Sequence, residues 1–273
     1  MSSLLMRPRA PDTHGCVLEV TPASAGWRHV GFRIHKLARR KAIAQREPGR
    51  ETCLVILQGS ASIAAAGQHF GSIGGRSSVF QDAAPGAVYV PPDTHYSVTA
   101  IDDAEVAVCT APGSSKSRVP RVIHAEEMTQ EVRGQGSNLR YVRNILPETR
   151  PADSLLVVEV LTPGGHSSSY PPHKHDTAGA GETALEATYY YRIQPRQGFA
   201  FQRVYTDDLS IDETLCARDG DVVLVPRGYH PVSAPHGYDV YHLDVMAGPE
   251  RRWAARHDPA HEWLIRKGAR AQV

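Results

Sequence analysis

The sequence predicts an all-β protein made of two β-barrels in tandem. Short apolar or alternating segments are bounded by Gly, Pro, Asp and Asn, which is the pattern of strands joined by turns. Long helical periodicity is absent, and only the tail around Arg251–Arg266 could carry a helical turn or two. A Gly turn, an apolar strand, a Pro and then a His occur in each half, as Gly86–Pro92 before His95 and as Gly220–Pro226 before His230. This repeated order of parts indicates an internal duplication.

The predicted strands fall into two sets separated by a linker. The first set is Cys16–Val20, Val30–Leu37, Thr52–Gln58, Ser60–Ala65, Ser78–Phe80, Ala87–Val90, Tyr96–Ala100 and Ala104–Thr110. The second set is Tyr141–Ile145, Leu155–Thr162, Ala187–Ile193, Ala200–Thr206, Asp212–Ala217, Asp221–Val225 and Tyr238–Val245. Between them, Ala111–Val119 is rich in Pro, Gly, Ser and charge, which is typical of a linker. We therefore expect one barrel in residues 1–115 and a second in residues 116–273.

Charge and cysteine usage exclude several classes of protein. The 30 Lys and Arg residues nearly balance 29 Asp and Glu, so a net charge of +1 creates no field to attract nucleic acid or an anionic membrane. No apolar run approaches the length of a membrane span, and the N-terminal apolar patch is too short for a secretion signal. The four cysteines form no Cys-x-x-Cys pair, which argues against a thiolate metal site or a disulfide framework. We expect a cytoplasmic protein that binds neither nucleic acid nor membrane.

The densest chemical motif is a His-Lys-His sequence that follows two prolines. Residues i and i+2 of a strand face the same side, so His173 and His175 present two imidazoles together. This arrangement suits a divalent metal ion if neighbouring strands supply further ligands. His230 is the expected third ligand, and Glu182 or Glu186 is the expected carboxylate.

These motifs carry a resemblance to known families. The His-x-His pair, the acidic residue and the later Gly-x5-Pro-x-Gly-x-His resemble the paired motifs of the cupin superfamily. Five longer segments are similar to the 5-deoxy-glucuronate isomerase family: Ser168–Asp176, Gly198–Asp208, Gly220–Pro231, Val245–Pro249 and Asp258–Trp263. The resemblance covers nearly all of Leu155–Leu264, and it is looser but continuous in the N-terminal half, as at Thr21–Trp27 and Gly75–Phe80.

The resemblance implies a two-cupin enzyme of inositol catabolism. Members of the family interconvert 5-deoxy-D-glucuronate, an aldehyde, and 5-dehydro-2-deoxy-D-gluconate, a ketone. The cupin barrel implies a metal held at its mouth by three His and one Glu, here His173, His175, His230 and a carboxylate. A divalent ion such as Zn, Mn or Fe suits this isomerisation because a Lewis acid stabilises the charge that builds on the carbonyl oxygen.

The sequence leaves three possibilities for the fourth metal ligand. In the family, the loop after the second His ends in Leu-Glu-Glu, and the second Glu is the one expected on the metal. Here Ala187 occupies that position. Either Glu186 reaches the metal through a β-bulge, or Glu182 swings in from its loop, or three His and water form the site. We choose Glu186, because neutral ligands alone leave the charge of a divalent ion uncompensated.

Candidates for substrate binding and proton transfer lie in or near the same segments. The candidates to bind the substrate carboxylate are Arg203, Arg227 and Lys174. The candidate bases are Asp207, Asp208, Asp244 and His242, with Tyr205 as a relay. Strand alternation sends Lys174 outward. If its strand face lines the barrel, Arg203 needs a partner, which is either a ligand or a carboxylate in a structural ion pair. The histidines expected to be exposed or structural are His166, His236, His257 and His261.

The N-terminal half is expected to be a structural barrel without a metal ion. Glu51 precedes a strand that ends at Gly59, but no His-x-His precedes it, and His95 alone does not form a site. Paired barrels often bury their strand edges against another copy, so we expect a homo-oligomer. Two other functions fit the motifs: a metal-dependent cupin dioxygenase or decarboxylase, and a sugar-binding cupin without catalysis.

Overall fold

A computed structural model describes residues 4–114, 117–179 and 181–265, and these residues form strands almost throughout. The strands up to the linker are β1 (Leu5–Met6), β2 (Cys16–Val20), β3 (Gly31–Leu37), β4 (Ala42–Arg46), β5 (Arg50–Gln58), β6 (Ser60–Ala65), β7 (Gln68–Gly74), β8 (Gly86–Val90), β9 (His95–Ala100) and β10 (Ala104–Pro112). Those that follow are β11 (Arg121–Ile123), β12 (Thr129–Arg133), β13 (Arg140–Leu146), β14 (Leu156–Thr162), β15 (Ser167–Ser168), β16 (His173–Lys174), β17 (Glu186–Gln194), β18 (Phe199–Tyr205), β19 (Asp212–Arg218), β20 (Val222–Val225), β21 (Val232–Ser233), β22 (Asp239–Ala247) and β23 (Arg256–His257).

Among the described residues, helical structure is limited to short turns, including residues 263–265 at the end of the described part. The α-helix α1 spans Pro22–Ala25, and 3₁₀ turns occupy Ala125–Glu127, Gly136–Asn138 and Pro259–His261. Thr21 caps α1, since its side chain accepts a hydrogen bond from the backbone N–H of Ser24 at 3.1 Å. No helix among the described residues is long and apolar enough to cross a membrane.

Among the described residues, four sheets form two facing pairs, one pair mainly from each half of the chain, and a fifth sheet consists of β16 and β23. In the first, the sheet β11-β8-β5-β10-β3-β2 faces the sheet β4-β9-β6-β7. In the second, β1-β20-β17-β22-β14-β13-β12 faces β15-β21-β18-β19. Aliphatic side chains fill the first barrel, among them Ile43, Leu54, Ile63, Val98 and Val106. Each such side chain contributes about 1.5–3 kcal/mol to folding when it is fully buried.

Two short strands pair across the boundary predicted between residues 115 and 116. Leu5 of β1 pairs with Val223 of β20, so the N-terminal strand extends the large sheet of the second barrel. Val122 of β11 pairs with Val88 of β8, so the segment after the linker extends a sheet of the first barrel. The two halves therefore exchange edge strands, which couples the folding of one barrel to that of the other.

Most predicted strands coincide with observed ones, but Ser78–Phe80 does not. There the backbone N–H of Phe80 donates to the Ser78 hydroxyl at 3.2 Å, and that of Ser77 donates to Gln81 Oε1 at 2.9 Å. These local side-chain hydrogen bonds favour a turn over a strand. Of the predicted linker, residues 111–112 belong to β10 and residues 115–116 lie outside the described part. In the tail, Pro259–His261 forms the expected helical turn, and Arg266 lies outside the described part.

The large sheets of the two barrels pack against each other, and buried carboxylates hold this interface. Glu51 is fully buried and accepts hydrogen bonds from the backbone N–H groups of Asp153, Ser154 and Leu155, each at 2.6 Å. The Tyr89 hydroxyl donates to the same carboxylate at 2.7 Å. A buried carboxylate is costly unless it is fully hydrogen-bonded. These contacts therefore hold residues 153–155, at the start of the second barrel, against β5.

A second buried carboxylate, that of Glu159, lies between two arginines from different barrels. Arg76 of the first barrel donates to it at 3.0 and 3.2 Å, and Arg143 of the second barrel donates to it at 2.6 Å. The Tyr241 hydroxyl adds a fourth hydrogen bond at 3.0 Å. The ion pairs are shielded from water, so breaking one partner leaves an uncompensated buried charge.

We predict that Glu51→Gln lowers the free energy of unfolding by about 3 kcal/mol, because the new amide group opposes backbone donors that the carboxylate now satisfies. Urea denaturation followed by circular dichroism measures the change. Glu126→Gln, at an exposed position in a 3₁₀ turn, is the matched control and should change the free energy by less than about 0.5 kcal/mol. Equal unfolding midpoints for the two variants would refute the role given to Glu51.

Candidate active site

Strand β17 has two faces with different surroundings. The rings of Tyr189 and Tyr191 lie 5.1 and 5.8 Å from the ring of His242, inside the second barrel. Tyr190, between them, faces the first barrel, where its ring lies 5.8 Å from that of Phe32. By the same alternation Ala187 lies on the inner face and is fully buried.

Three histidines converge in the second barrel, as the sequence predicts. The ring centroids of His173 and His230 are 5.0 Å apart, and those of His175 and His230 are 4.8 Å apart. The third pair, His173 and His175, is wider at 6.4 Å. Here β16 supplies His173, the residue after β16 is His175, and the turn between β20 and β21 supplies His230.

Backbone carbonyls orient two of these imidazoles. Nδ1 of His175 lies 3.1 Å from the carbonyl oxygen of Leu185, and Nδ1 of His230 lies 2.9 Å from that of Gly228. Since a carbonyl can only accept, each Nδ1 carries the proton and each Nε2 presents a lone pair. Both Nε2 atoms are buried and have no hydrogen-bond partner among the described residues. A neutral ring fixed by a carbonyl, with a free Nε2, is the arrangement of a metal-ligating histidine.

The environment keeps the three imidazoles neutral. Burial lowers the pKa of His173 to about 3, with further lowering by the neighbouring His175. Burial also lowers the pKa values of His175 and His230, and for His230 the other two imidazoles add to the effect. At neutral pH the cluster therefore carries no charge, which is the protonation state that binds a metal.

The donor chemistry of the three histidines fits a divalent metal, although one of the three ring separations is longer than a single ion requires. In the described part of the chain, no set of three or more His, Cys, Asp and Glu side chains is arranged to hold a metal ion. Two imidazoles on one tetrahedral ion have ring centroids about 5 Å apart, given metal–nitrogen bonds of about 2.1 Å. The separations of His230 from its two neighbours meet this value, and only the His173–His175 pair exceeds it.

Glu186 does not face this cluster, which corrects the choice made from the sequence. Its carboxylate accepts hydrogen bonds from the backbone N–H groups of Arg28, His29 and Val30, at 2.8, 2.7 and 3.1 Å. Strand β17 pairs with β20 and β22 in continuous register, so no bulge turns the side chain inward. Glu186 thus belongs to the interface between the barrels.

Glu182 and Lys174 lie together on the outer side of the histidine segment. Glu182 Oε1 accepts hydrogen bonds from the backbone N–H groups of Asp176 and Thr177, at 2.9 and 3.0 Å. Lys174 Nζ lies 2.5 Å from Asp176, 3.4 Å from Glu182 and 3.4 Å from Asp207. Lys174 therefore faces outward, as alternation predicts, and three carboxylates compensate its charge, so it is not free to bind a substrate carboxylate.

Four other proposed catalytic residues also lie outside the barrel interior. Arg203 shares the outer face of β18 with Phe199 and Phe201 and forms an ion pair with Asp212 at 2.7 and 3.0 Å. The Tyr205 hydroxyl donates a hydrogen bond to Asp258 at 2.7 Å, and the Asp207 carboxylate accepts one from Tyr229 at 2.8 Å. Arg227 is exposed and donates to the Ser210 hydroxyl at 2.9 Å. The inner face of β18 instead presents the buried Gln202, so the structure supports the structural ion pair rather than a substrate contact for Arg203.

A buried His–Asp pair does lie inside the barrel. His242 and Asp244 occupy alternate positions of β22, and His242 Nδ1 lies 2.6 Å from Asp244 Oδ1. The other nitrogen, Nε2, lies 3.1 Å from the hydroxyl of Ser168. Burial raises the pKa of Asp244, and the adjacent His242 opposes that effect. Of the four candidate bases, these two alone share the interior with the histidines, since Asp207 pairs with Tyr229 and Lys174 and Asp208 caps an outer turn.

His257 is closer to the site than the sequence suggested. It lies on β23, which pairs with β16 so that His257 is directly opposite His173. Their ring centroids are 6.0 Å apart, and Nδ1 of His257 is buried without a partner among the described residues. The C-terminal segment thus returns across the mouth of the barrel, a long-range contact that local patterning does not reveal.

A separate cavity of about 570 Å³ lies on the outer face of β12 and β13, beside the loop around Phe80. Its wall includes Tyr141, Arg143 and Glu159, and no residue of the histidine cluster lines it. Within this wall, Arg143 pairs with Glu159 at 2.6 Å. The cavity is therefore not part of the histidine site.

Comparison with known proteins gives a consistent result over the whole chain. The profile of the KduI/IolB family matches residues 4–264. A 5-deoxy-glucuronate isomerase of Geobacillus kaustophilus is 51% identical over 267 residues, covering 97% of this chain and 96% of the relative. A 5-deoxy-glucuronate isomerase of Bacillus subtilis strain 168 is 45% identical over 272 residues, covering 98% and 100%.

Solved structures confirm the predicted fold. An IolB-like protein from Salmonella typhimurium superposes with a TM-score of 0.92 at 47% identity, covering 96% of this chain and 99% of that one. Oxalate decarboxylase of Bacillus subtilis, whose Mn(II) centres have been studied, superposes on the whole chain with TM-scores of 0.66 and 0.65 at 15% and 14% identity, which shows the fold alone. The expectation of an all-β protein with two cupin barrels is confirmed, and the chain belongs to the KduI/IolB family.

Proposed function

We propose that this chain is an intramolecular oxidoreductase that interconverts 5-deoxy-D-glucuronate and 5-dehydro-2-deoxy-D-gluconate in inositol catabolism. The near full-length identity to relatives that are named 5-deoxy-glucuronate isomerase supports this substrate. The structural observation that carries the proposal is the set of three neutral imidazoles, two of them with unpartnered Nε2 atoms, inside one barrel. Apolar side chains would pack in this position at lower cost than buried imidazoles, so packing alone does not explain the cluster.

His173, His175 and His230 would hold a divalent ion such as Zn, Mn or Fe. When bound, the ion supplies Lewis-acid polarisation of the substrate carbonyl. The barrel contributes the orientation of the ligands, because the carbonyls of Leu185 and Gly228 fix the tautomers of His175 and His230 before any ligand arrives. Ala187 adds no carboxylate to this set, so the proposed site has three histidine ligands.

His242 is the proposed base, and Asp244 is the residue that positions it. In the conversion to the ketone, the C–H proton of the hydroxyl-bearing carbon next to the aldehyde must be delivered to the aldehyde carbon, while the proton of that hydroxyl passes to the aldehyde oxygen. Asp244 accepts the Nδ1–H of His242 at 2.6 Å, so the lone pair is on Nε2, on the side of Ser168. A base held in one tautomer by a buried carboxylate can take the proton and return it without leaving the barrel.

The first barrel is proposed to be structural, and the protein to be a cytoplasmic homo-oligomer. His95 is exposed, and Glu51 is fully engaged at the interface, so the described residues of the first barrel supply no counterpart of the histidine cluster. The edge strand β12 exposes Val132, and the neighbouring β13 exposes Tyr141, which supports contact of this edge with a second copy.

We predict that His230→Ala lowers turnover of 5-deoxy-glucuronate at least about 100-fold and lowers bound metal, because one of three ligands is lost. NMR follows conversion to the ketose, and elemental analysis measures the metal. His95→Ala, which removes an exposed imidazole from the first barrel, is the matched control and should behave as wild type. Near-normal turnover and metal content in His230→Ala would show that the site is misplaced, and oxygen consumption during turnover would favour an oxygenase.

We predict that Asp244→Asn lowers kcat about 100-fold or more while leaving metal content unchanged, because the amide no longer holds His242 in one tautomer. Asp208→Asn, at a candidate base that caps an outer turn, is the control and should retain wild-type kcat. Steady-state kinetics with metal-loaded protein measures both variants. A kcat for Asp244→Asn close to that of the control would remove the His–Asp pair from the mechanism.

A further inference from the structure

We propose that Arg140 binds the carboxylate of the sugar-acid substrate at the edge of the histidine cluster, an inference that rests on the proposed function. The substrate is an anion, and the three cations expected to recognise it are unsuitable. Lys174 and Arg203 are paired with carboxylates, and Arg227 lies exposed on the outer surface. Arg140 was not among the candidates, because it lies in none of the segments that resemble the isomerase family.

The position of Arg140 is tied to the segment that carries His173. Arg140 Nη1 donates to the backbone carbonyl and to the side-chain oxygen of Asn138, at 3.0 and 3.2 Å. Asn138 in turn donates from Nδ2 to the carbonyl of Tyr170 at 3.1 Å. Tyr170 is followed by two prolines and His173, so one short chain of contacts fixes the guanidinium relative to the metal-binding imidazole. Arg140 and Val142 share one face of β13, and Val142 is in register with Val160 and His242, so Arg140 emerges on the sheet face that lines the barrel.

Arg140 has hydrogen-bonding capacity that the protein does not use. Within the described residues, no carboxylate pairs with it, and only Nη1 makes hydrogen bonds. Burial, together with repulsion from Arg133, lowers the pKa of Arg140 to about 10, so the group is still charged at neutral pH. Nη2 and Nε form a planar pair of donors, which is the geometry that binds a carboxylate through both oxygens.

Neighbouring charges make this edge of the barrel attractive to an anion. Arg133 and Arg140 are register partners on β12 and β13, so their side chains emerge on the same face. Glu131 compensates only Arg133, at 2.7 Å, and Trp253 covers the Arg133 guanidinium at 4.9 Å. The two arginines and one glutamate therefore leave one uncompensated positive charge, which belongs to Arg140.

These observations assign a geometry to the substrate. Its carboxylate would lie on Arg140, and its aldehyde end would lie among His173, His175 and His230. A neutral sugar of the same size lacks the group that Arg140 recognises and leaves the guanidinium without a partner. Arg140 is thus proposed to select uronates over neutral aldoses.

The test compares Arg140→Gln and Arg140→Lys with Arg227→Gln, which removes an exposed arginine and is the matched control. Each protein is assayed with 5-deoxy-glucuronate, and calorimetry measures binding of two probes, D-glucuronate and neutral D-glucose. We expect KM to rise about 10- to 100-fold in Arg140→Gln, which corresponds to loss of a charge-assisted hydrogen bond. Arg140→Lys, which keeps the charge but loses the planar fork, should raise KM about tenfold. Arg227→Gln should match wild type.

The possible outcomes separate the two proposals. Preference for glucuronate over glucose in wild type, lost in Arg140→Gln, supports the role of Arg140. Wild-type KM and probe binding in Arg140→Gln would overturn it while leaving the isomerase proposal intact. If wild type binds glucuronate through Arg140 but converts no 5-deoxy-glucuronate, the function fails and the anion site stands. If Arg140→Gln does not fold, Arg140→Lys decides: an unchanged KM overturns the proposal, and a raised KM with unchanged thermal unfolding supports it.

Discussion

One strand, β17, serves both barrels, and its period-two alternation constrains the rest of the structure. Its outward residues, among them Glu186 and Tyr190, bind the first barrel. Its inward residues, among them Ala187 and Tyr189, line the histidine site. Because a residue cannot change face without a bulge, an acidic side chain on this strand lies either at the interface or in the site. Glu186 lies at the interface, so β17 supplies no carboxylate to the imidazoles.

Three buried carboxylates, including the Glu186 expected on the metal, lie instead at the interface between the barrels. Glu51, Glu159 and Glu186 each accept at least three hydrogen bonds, and in each case donors come from the opposite barrel. Such groups specify how two sheets pack, since any other arrangement would bury an unpaired charge. Within the described part of the chain, the site is left with neutral imidazoles, one His–Asp pair and, at its edge, an arginine without a counter-ion. A site of neutral imidazoles with a cationic arginine at its edge, and with the carboxylates kept at the interface, favours an anionic substrate.

Much of this organisation could be predicted from the sequence, and the errors have physical causes. The two barrels and the convergence of His173, His175 and His230 follow from local patterns and from the family resemblance. Periodicity places Arg203 on the same strand face as Phe199 and Phe201, but it does not tell which face lines a barrel. The contacts of Glu186 and His257 depend on residues more than 80 positions away in the chain, which local patterns do not encode.

Ala187 lies on the strand face of the histidine cluster, and Glu186 lies on the opposite face. Calorimetric titration of metal-free protein with Zn(II) or Mn(II) tests this arrangement, using Ala187→Glu and Glu186→Gln beside wild type. We expect Ala187→Glu to tighten metal binding about tenfold or more, equivalent to about 1.4 kcal/mol, because a carboxylate joins the neutral ligands. We expect Glu186→Gln to bind metal with wild-type affinity. Unchanged affinity in Ala187→Glu together with a marked loss in Glu186→Gln would show that Glu186, not Ala187, faces the histidines.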